Sequence, residues 1–467
     1  MCLGDNPACA GFREHRAALL GELDRERHRA GRLQSIALIH EARPLTPPKP
    51  AERLRLHHLP ATDQTVHWGY FSRDLRPQVY VEPGDFVTIE TLTHHAGDDA
   101  ERMIEGDQGA ESVFQWSRTH KAVARRGAGA ADAAIGGGAG LGVHICTGPV
   151  HVAGAMPGDV LEVRVLEVAP RPAGNPAFPG ATFGSNAAAN WGFHYNDMIT
   201  GDRPREVVTI YQIDSAGRED WARAVYSFRW VPQVDPAGVV HATIDYPGVV
   251  VDHALTKRNW DVLRGVRIPI RPHFGVMVVA PREPGLVSTI PPAYFGGNMD
   301  TWRLGAGASA YFPVAVEGAL FSAGDPHASQ GDSELCGTAI ECSLTGTFQF
   351  ILHKADQLGG TMLEGLDHPM IETANEWVLQ GFSFANYLAE LGAEASSEIF
   401  RRSSIDLAMR DAFRKVRRFL MTAKGLTEDE AISLMSVAVD FGVTQVVDGN
   451  WGVHAIVRKD LFVTEAA

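Results

Sequence analysis

The stretch Pro157-Gly158-Asp159-Val160-Leu161-Glu162-Val163-Arg164-Val165-Leu166-Glu167-Val168 shows the pattern that decides the fold. A Pro-Gly-Asp turn precedes apolar side chains that alternate with charged ones, and a period of two is typical of a half-buried β-strand. The same turn occurs at Pro83-Gly84-Asp85, before a second segment of this kind. We therefore expect a body built mainly of antiparallel β-strands.

Further segments rich in Val, Ile, Thr and aromatic residues recur through the middle of the chain. These residue types are enriched in β-strands. The predicted strands are Asp85–Leu92, Val160–Val168, Val207–Ile213, Val239–Tyr246, Gly275–Ala280, Tyr311–Phe321 and Gly337–His353. Long stretches rich in Gly, Ala, Asn and Pro separate some of them, notably Arg125–Gly142 and Arg171–Asn190. Loops of this length are either functional or flexible.

Helical patterns flank this β-rich region. Residues 11–33 predict an amphipathic helix that is followed by a Pro-rich linker, and Met409, Phe413, Val416 and Leu420 follow a helical spacing. Two helix starts are predicted by capping-box patterns, Ser403-x-x-Asp406 and Thr427-x-x-Glu430, and residues 443–457 are strand-like again. We expect three domains: a helical arm (1–45), a β-rich catalytic body (46–355) and a helical segment with a strand that returns to the body (356–467).

The composition is that of a globular protein with a large core. The chain has 467 residues, of which 45% are hydrophobic, and 42 Lys and Arg against 56 Asp and Glu give a net charge of −14. Such a charge opposes binding to the phosphate backbone, so we expect no nucleic-acid partner. Apolar runs fall far short of the ~20 residues that span a bilayer, and no membrane partner is expected. Five cysteines without a C-x-x-C pair predict a cytoplasmic protein without disulfides.

Common catalytic motifs do not occur. The glycine tract Gly136–Gly140 lacks both the G-x-G-x-x-G spacing and a following G-K-[ST], so it does not predict a nucleotide-phosphate site. The chain also has no G-x-S-x-G and no H-E-x-x-H, which are the local signatures of serine hydrolases and zinc proteases.

A dense polar cluster lies between residues 324 and 341, after an apolar segment. Residues two apart in an extended chain face the same way, so Asp325 and His327 can offer a carboxylate and an imidazole to one divalent metal such as Zn²⁺. Glu341, on the following strand, can supply a third ligand or act as a base. The alternative is that Asp325, Gly331 and Asp332 simply form turns.

Other candidates are less specific. If the first strand continued past Leu92, His94 and His95 would point to opposite faces, so at most one of them would join a site, while Asp98 and Asp99 would solvate a loop. The segment Trp191–Asp197 has the composition of a binding loop or of an anchoring patch. Cys336 is a possible nucleophile, although buried cysteines are usually inert.

Several motifs together resemble the acetamidase/formamidase family over about residues 65–355. They are Pro83-Gly84-Asp85 with Glu90-Thr91, His144-x-x-x-Gly148-Pro149-Val150, Gly154-Ala155-x-Pro157-Gly158-Asp159, Ser288-Thr289-Ile290-Pro291-Pro292, Gly296-Gly297-Asn298-x-Asp300, Tyr311-Phe312-Pro313-Val314 and Gly324-Asp325-x-His327-x-Ser329-Gln330-Gly331-Asp332-x-Glu334. The resemblance implies a mainly β (α+β) fold with a β-sandwich body, an N-terminal helical arm and C-terminal helices. It also implies homo-oligomers, a bound divalent metal, and hydrolysis of short linear amides to a carboxylate and ammonia.

The resemblance is incomplete in two places. Many family members have an Asp shortly after the first Glu-Thr, where this chain has His94-His95, and the N-terminal arm and the region Glu101–Asp132 are additions. Formamide is therefore not the expected substrate.

The resulting hypothesis is metal-assisted hydrolysis of a small amide substrate. The predicted metal ligands are His144, Asp325 and His327, with zinc as the expected ion and calcium as the alternative. The predicted catalytic residues are Asp332, Glu334 and Glu341. The predicted substrate-binding residues are His95, Gln330 and Asn298. Two alternatives stay open: Cys336 acts as a nucleophile, or the chain is a non-enzymatic binding protein that uses the Trp191–Asp197 loop.

Overall fold

The computed structural model describes residues 43, 45, 54–119, 143–200, 205–215, 217–235, 238–244 and 249–462. The predicted helix at residues 11–33 and the glycine tract at 136–140 lie outside these ranges. No helix in the described part of the chain combines the length and the apolar character needed to cross a membrane.

The described chain is mostly strand. Strands β1 to β12 are Leu56–Leu59, Val66–Trp68, Tyr70–Phe71, Val79–Val81, Phe86–Glu90, Ile145–Val152, Val160–Pro170, Ala181–Ala188, Val207–Asp214, Trp221–Arg229, Gln233–Val234 and Val240–His241. Strands β13 to β24 are Ile268–Pro269, His273–Val278, Val287–Ser288, Gly296–Asn298, Ser309–Pro313, Phe321–Ser329, Ile340–Glu341, Leu344–His353, Met370–Glu372, Glu376–Phe382, Asp440–Gln445 and Gly452–Arg458. Helices α1 to α6 are Ala100–Met103, Gln108–Phe114, Tyr387–Leu391, Ala395–Arg402, Ile405–Lys424 and Glu428–Ala438. Short 3₁₀ helices occupy His94–Asp99, Ala355–Gln357, Gly392–Glu394 and Lys459–Leu461.

Two large sheets contain most of these strands. The first sheet has the order β1-β5-β20-β7-β17-β21-β22-β24-β23, and its longest ladder pairs β20 with β7 in antiparallel register from Leu344 and Pro170 to His353 and Val160. The second sheet contains the path β13-β10-β9-β8-β19-β18-β14-β16, and β6 joins it by pairing with β18. All of these pairs are antiparallel except β1 with β5; β4 also pairs with β6 in parallel.

The two sheets pack face to face through aromatic side chains. Phe274 of β14 lies 5.3 Å from Phe348 of β20 between ring centroids, and Phe321 of β18 lies 5.3 Å from Phe350 of β20. All four rings are buried, so they close the interior of the sandwich. The prediction of a mainly β fold with a sandwich body is confirmed.

Several predicted segments are divided in the structure. The expected strand Tyr311–Phe321 is wrong as one element, because Gly318, Ala319 and Leu320 adopt positive φ and form a turn between β17 and β18. Residues 337–353 contain β19 and β20, and residues 443–457 contain the end of β23 and most of β24. In the described part of Val239–Tyr246, only Val240–His241 is a strand.

The capping predictions differ in outcome. Helix α5 begins after Ser404, whose side chain accepts a hydrogen bond from the Leu407 N–H, so the predicted box at Ser403 is wrong by one residue. Ser403 Oγ instead donates to the carbonyl of Ile399 at the end of α4. The box of Thr427 and Glu430 at the start of α6 is confirmed.

The C-terminal helices cover the outer face of the first sheet. Side chains alternate along β22, so Val378 joins the interior of the sandwich while Trp377 and Leu379 face Phe419 and Leu420 of α5. The chain after residue 355 thus contributes both strands and covering helices to this sheet; the domain limits at residues 45 and 355 stay a prediction.

We expect Gly381→Ala to destabilise this helix-to-sheet contact. An added Cβ would lie 2.2 Å from the Ala412 nitrogen and 2.4 Å from the Ala408 carbonyl oxygen, both in the backbone of α5. Overpacking of this kind costs about 1–3 kcal/mol in the free energy of unfolding, which urea denaturation measures. Gly359→Ala is the control, because a Cβ there meets no atom within 4 Å; equal denaturation midpoints for both variants would contradict the contact.

Candidate active site

The candidate site is centred on β18, whose nine residues are all buried. Asp325 and His327 stand two residues apart on this strand, and the Oδ2 atom of Asp325 lies 3.2 Å from the Nε2 atom of His327. Strand β19 pairs with β18 so that Glu341 is opposite His327, and its Oε2 atom lies 3.2 Å from the same Nε2 atom. Strand pairing therefore places two carboxylates against one imidazole.

Two further imidazoles lie near Asp325 and come from segments outside the strands. His144 precedes β6, and its Nε2 atom lies 3.7 Å from Oδ2 of Asp325. His94, after β5, places its Nδ1 atom 3.7 Å from Oδ1 of Asp325. Asp325 is thus the carboxylate shared by three histidines.

His94 and His95 both face the site, so the expectation that at most one of them would do so is wrong. The chain does not continue as a strand after β5; it turns into a 3₁₀ helix, and the side chain of Thr93 accepts a hydrogen bond from the His95 N–H at 3.1 Å. The turn brings the two imidazole rings to 4.3 Å between centroids.

Asp98 and Asp99 are buried, so the expectation that they solvate a loop is also wrong. Asp98 Oδ2 lies 3.2 Å from Nδ1 of His95 and accepts a hydrogen bond from the Ser185 hydroxyl. Asp99 Oδ2 accepts hydrogen bonds from the Arg102 guanidinium at 2.8 Å and from the Tyr226 hydroxyl at 2.6 Å. A carboxylate behind an imidazole fixes its ring orientation, and Asp98 does this for His95.

Gln330 lies behind His327. Its side-chain NH₂ donates to the Asp300 carbonyl at 2.7 Å, so its oxygen faces the Nδ1 atom of His327 at 3.1 Å. An amide oxygen can only accept, so Nδ1 of His327 carries the hydrogen. The Nε2 atom of His327 therefore faces the carboxylates of Asp325 and Glu341.

This arrangement requires a positive charge among the carboxylates. Burial lowers the pKa of His327, but the nearby charges of Glu341 and Asp325 outweigh burial and raise that pKa well above its ordinary value. Burial alone would raise the pKa of Asp325, yet His144 and His327 hold it well below its ordinary value. A proton on His327 or a metal cation can supply this charge.

The side chains fit a divalent cation. Within the described chain, the buried atoms Oδ1 of Asp325 and Oε2 of Glu341 accept no hydrogen bond. Four sets of residues place one ligand atom each within 4.8 Å of the others: His94, His95 and Glu341; His94, His144 and Asp325; Asp300, His327 and Glu334; and Asp325, His327 and Glu341. Mixed imidazole and carboxylate ligands suit zinc and other transition metals.

A cavity of about 1070 Å³ opens onto this cluster. Six of the residues predicted from the sequence line it, namely His95, His144, Asn298, Asp325, Glu334 and Glu341. His327 and Gln330 are buried behind that lining. The structure does not bring Asp332 to the cluster: its side chain is 41% exposed and its carboxylate accepts from Arg303 at 2.9 Å and from the Trp302 indole.

Three acidic residues of the site have left-handed backbone conformations. The φ angles are 44° for Asp300, 49° for Asp325 and 48° for Glu334. Residues other than glycine rarely adopt this region of backbone conformation. Such strain persists only where surrounding structure enforces it, and it clusters at functional sites.

Two site residues were missed by the sequence analysis. Asp300 lines the cavity together with Asn298, and burial together with Asp325 raises its pKa to about 6. Asp448 lines the same cavity, and burial and Asp300 raise its pKa well above its ordinary value. The signal for Asp300 was its place at the end of the Gly296-Gly297-Asn298 motif, whereas Asp448 had no sequence signal.

The alternative with a cysteine nucleophile gains no support from the structure. The Cys336 sulfur accepts from the Asn186 amide at 3.2 Å and contacts the Thr338 carbonyl, and Cys336 is not among the described residues that line the cavity. Burial raises the pKa of the Cys342 thiol, which keeps it protonated.

Parts of the sequence are similar to those of known proteins. The chain is 30% identical over 223 residues to an acetamidase of Mycolicibacterium smegmatis (42% of this chain, 50% of the relative) and 32% identical over 218 residues to a formamidase of Methylophilus methylotrophus (43% and 49%). The chain thus spans about half the length of the curated relatives it matches.

Solved structures of two acetamidases have a similar fold. The enzyme of Yersinia enterocolitica superposes with a TM-score of 0.60 at 21% identity over 92% of this chain and 99% of its own. The enzyme of Bacillus halodurans gives 0.56 at 20% identity over 87% and 98%.

The family assignment rests on the sequence match over most of the chain. The model of the Acetamidase/Formamidase family matches residues 140–288 and 286–462, which include His144, Asp325, His327 and Glu341. The predicted resemblance is thereby confirmed, and the chain belongs to the acetamidase/formamidase family.

Proposed function

We propose that the protein hydrolyses a linear amide to a carboxylate and ammonia with the help of a divalent metal ion. The observation that carries this proposal is the convergence of three histidines on Asp325 at one end of a cavity. Family membership supports it, as do the names acetamidase and formamidase of the relatives.

The metal would be held around Asp325. His94, His144 and Glu341 line the cavity beside this carboxylate, and His327 approaches it from behind that lining. Calcium prefers sites made entirely of oxygen ligands, so the imidazole nitrogens favour zinc.

When bound, a divalent ion polarises the substrate carbonyl and makes water more acidic. Residues of the protein would carry out the proton transfers. Glu341 lies beside His327 and lines the cavity, so it can accept a proton from the attacking water. Burial raises the pKa of Glu334 well above its ordinary value, so this group can hold the proton that the leaving nitrogen needs. Such acid–base steps contribute about 10²–10⁴-fold in rate.

Two lining residues are suited to orienting the amide. His95 is held in place by Asp98, and Asn298 presents a side-chain amide to the cavity. We propose that they bind the substrate carbonyl and amide groups. Gln330 acts instead by orienting His327, since its amide is occupied by His327 and Asp300.

Location and assembly belong to the proposal. The described cysteines Cys146, Cys336 and Cys342 are free thiols, which is consistent with a reducing, cytoplasmic compartment. A homo-oligomer is proposed from the family alone.

We expect His327→Ala to lower kcat/KM for acetamide by at least about 100-fold, because the variant removes the imidazole that faces both carboxylates. Ammonia release and bound zinc, measured on the same preparation, check this. The matched control is His58→Ala, since His58 is exposed and pairs with Glu90 away from the cluster. Chelation should abolish activity and added zinc should restore it.

Two further variants test the assignments made from the sequence. Cys336→Ser should keep full activity if water is the nucleophile, and Asp332→Asn should do so if Glu334 carries the proton. Loss of turnover in Cys336→Ser, with resistance to chelators, would refute the metal mechanism.

We expect Gly275→Ala to weaken zinc binding about 10–100-fold, the usual effect of disturbing groups that orient metal ligands. A Cβ at this position would lie 2.3 Å from Oδ1 of Asp300, 2.6 Å from Oδ2 of Asp325 and 2.8 Å from Cε1 of His327. Calorimetric titration of metal-free protein with zinc measures the effect. Gly331→Ala is the control, because a Cβ there meets no atom within 4 Å; unchanged affinity in Gly275→Ala would place the ion elsewhere.

A further inference from the structure

We infer that the preferred substrate is a primary amide with a bulky, uncharged aromatic acyl group, a conclusion that rests on the proposed function. Three properties of the cavity carry it: its size, the aromatic wall beside the acid cluster, and the absence of Lys and Arg from its described lining.

The cavity is far larger than a short amide. Acetamide has four heavy atoms and occupies on the order of 100 Å³, judged from the ~30 Å³ share of a water molecule, whereas the cavity measures about 1070 Å³. Cavities of about 300–1,000 Å³ enclose ligands of drug size. A two-carbon acyl group would therefore leave most of the lining in contact with water.

The wall beside the catalytic groups is aromatic. Trp191, Phe193 and Trp451 line the cavity, and the rings of Phe193 and Trp451 meet edge to face at 5.8 Å between centroids. The Phe193 side chain is 37% exposed, so part of its surface is open to the cavity. Aromatic rings in this arrangement offer faces and edges on which another ring packs favourably.

Hydrogen bonds hold this wall against the segment that carries Glu334. The Trp191 indole N–H donates to the Gly337 carbonyl at 3.0 Å, and the Phe193 N–H donates to the Leu335 carbonyl at 2.9 Å. The Gly337 N–H in turn donates to the Glu334 carbonyl at 3.0 Å. The acyl-binding wall thus lies at a fixed distance from the catalytic acid.

The charge of the cavity selects against acidic acyl groups. The described lining contains the carboxyl groups of Asp300, Asp325, Glu334, Glu341 and Asp448, and it contains no Lys or Arg. A second carboxylate on the substrate would find no Lys or Arg partner among these described residues and would be repelled by the Asp325 carboxylate. A neutral acyl group is therefore favoured over one that carries a second carboxylate.

The test compares ammonia release from acetamide, phenylacetamide and succinamic acid by the zinc-loaded full-length protein. We expect kcat/KM for phenylacetamide to exceed that for acetamide by at least about 100-fold, the discrimination that added apolar groups give in an apolar pocket, and succinamic acid to be the poorest substrate. Phe193→Ala should lower kcat/KM for phenylacetamide at least tenfold more than that for acetamide. Tyr80→Ala is the control, because this exposed ring lies outside the cavity lining and packs on His151.

The outcomes separate the two proposals. Ammonia release from acetamide with an equal or lower kcat/KM for phenylacetamide would overturn the aromatic acyl preference and leave amide hydrolysis intact. A proportional loss on both substrates in Phe193→Ala would likewise overturn the role of the wall. Release from none of the three amides would overturn the proposed function itself.

Discussion

The arrangement on which the site depends is the burial of Asp325, His327 and Glu341 on two neighbouring strands of the second sheet. Charged groups lose favourable hydration when they leave water, and the loss is offset only where opposite charges and hydrogen bonds surround them. Here His94, His144 and His327 surround Asp325, and the N–H of Ala339 donates to Glu341 at 2.8 Å. The buried carboxylates therefore need positive charge beside them, and the proposed metal ion would supply it.

The backbone around this cluster has a glycine and an irregular strand register. Gly275 faces the cluster, and any Cβ would enter the space of Asp300, Asp325 and His327. Asp325 itself has a φ of 49°, and the register of β18 with β14 skips the residues at this point. The Asp-x-His pair therefore lies at a distorted point of this ladder.

Local patterns predicted those parts of the molecule that depend on neighbouring residues. The alternation in Val160–Val168 predicted β7, and the apolar spacing from Met409 to Leu420 predicted α5, because both patterns follow directly from the period of the element. The Asp-x-His spacing likewise brought Asp325 and His327 together. Glu341 could be predicted as their neighbour because it lies on the following strand, which was expected to lie beside the strand of Asp325 and His327.

Other features depend on contacts between distant segments, and local patterns did not reveal them. His94 and His95 were expected on opposite faces of a strand, because nothing in the amino-acid sequence shows that β5 ends before them. Asp98 is buried but had been expected in a solvated loop, because Ser185, which donates a hydrogen bond to it, lies 87 residues away in the sequence. Asp332 sits within the polar motif, yet its pairing with Arg303 turns it away from the cluster.

The hydrogen bonds that join the Trp191–Phe193 loop to the Glu334–Gly337 turn have a mechanical consequence. A ligand that pushes on the aromatic rings also pushes on the backbone that aims Glu334. Under the proposed function, recognition of the acyl group and alignment of Glu334 are then not separable steps, and the protein would express its selectivity in turnover as much as in affinity.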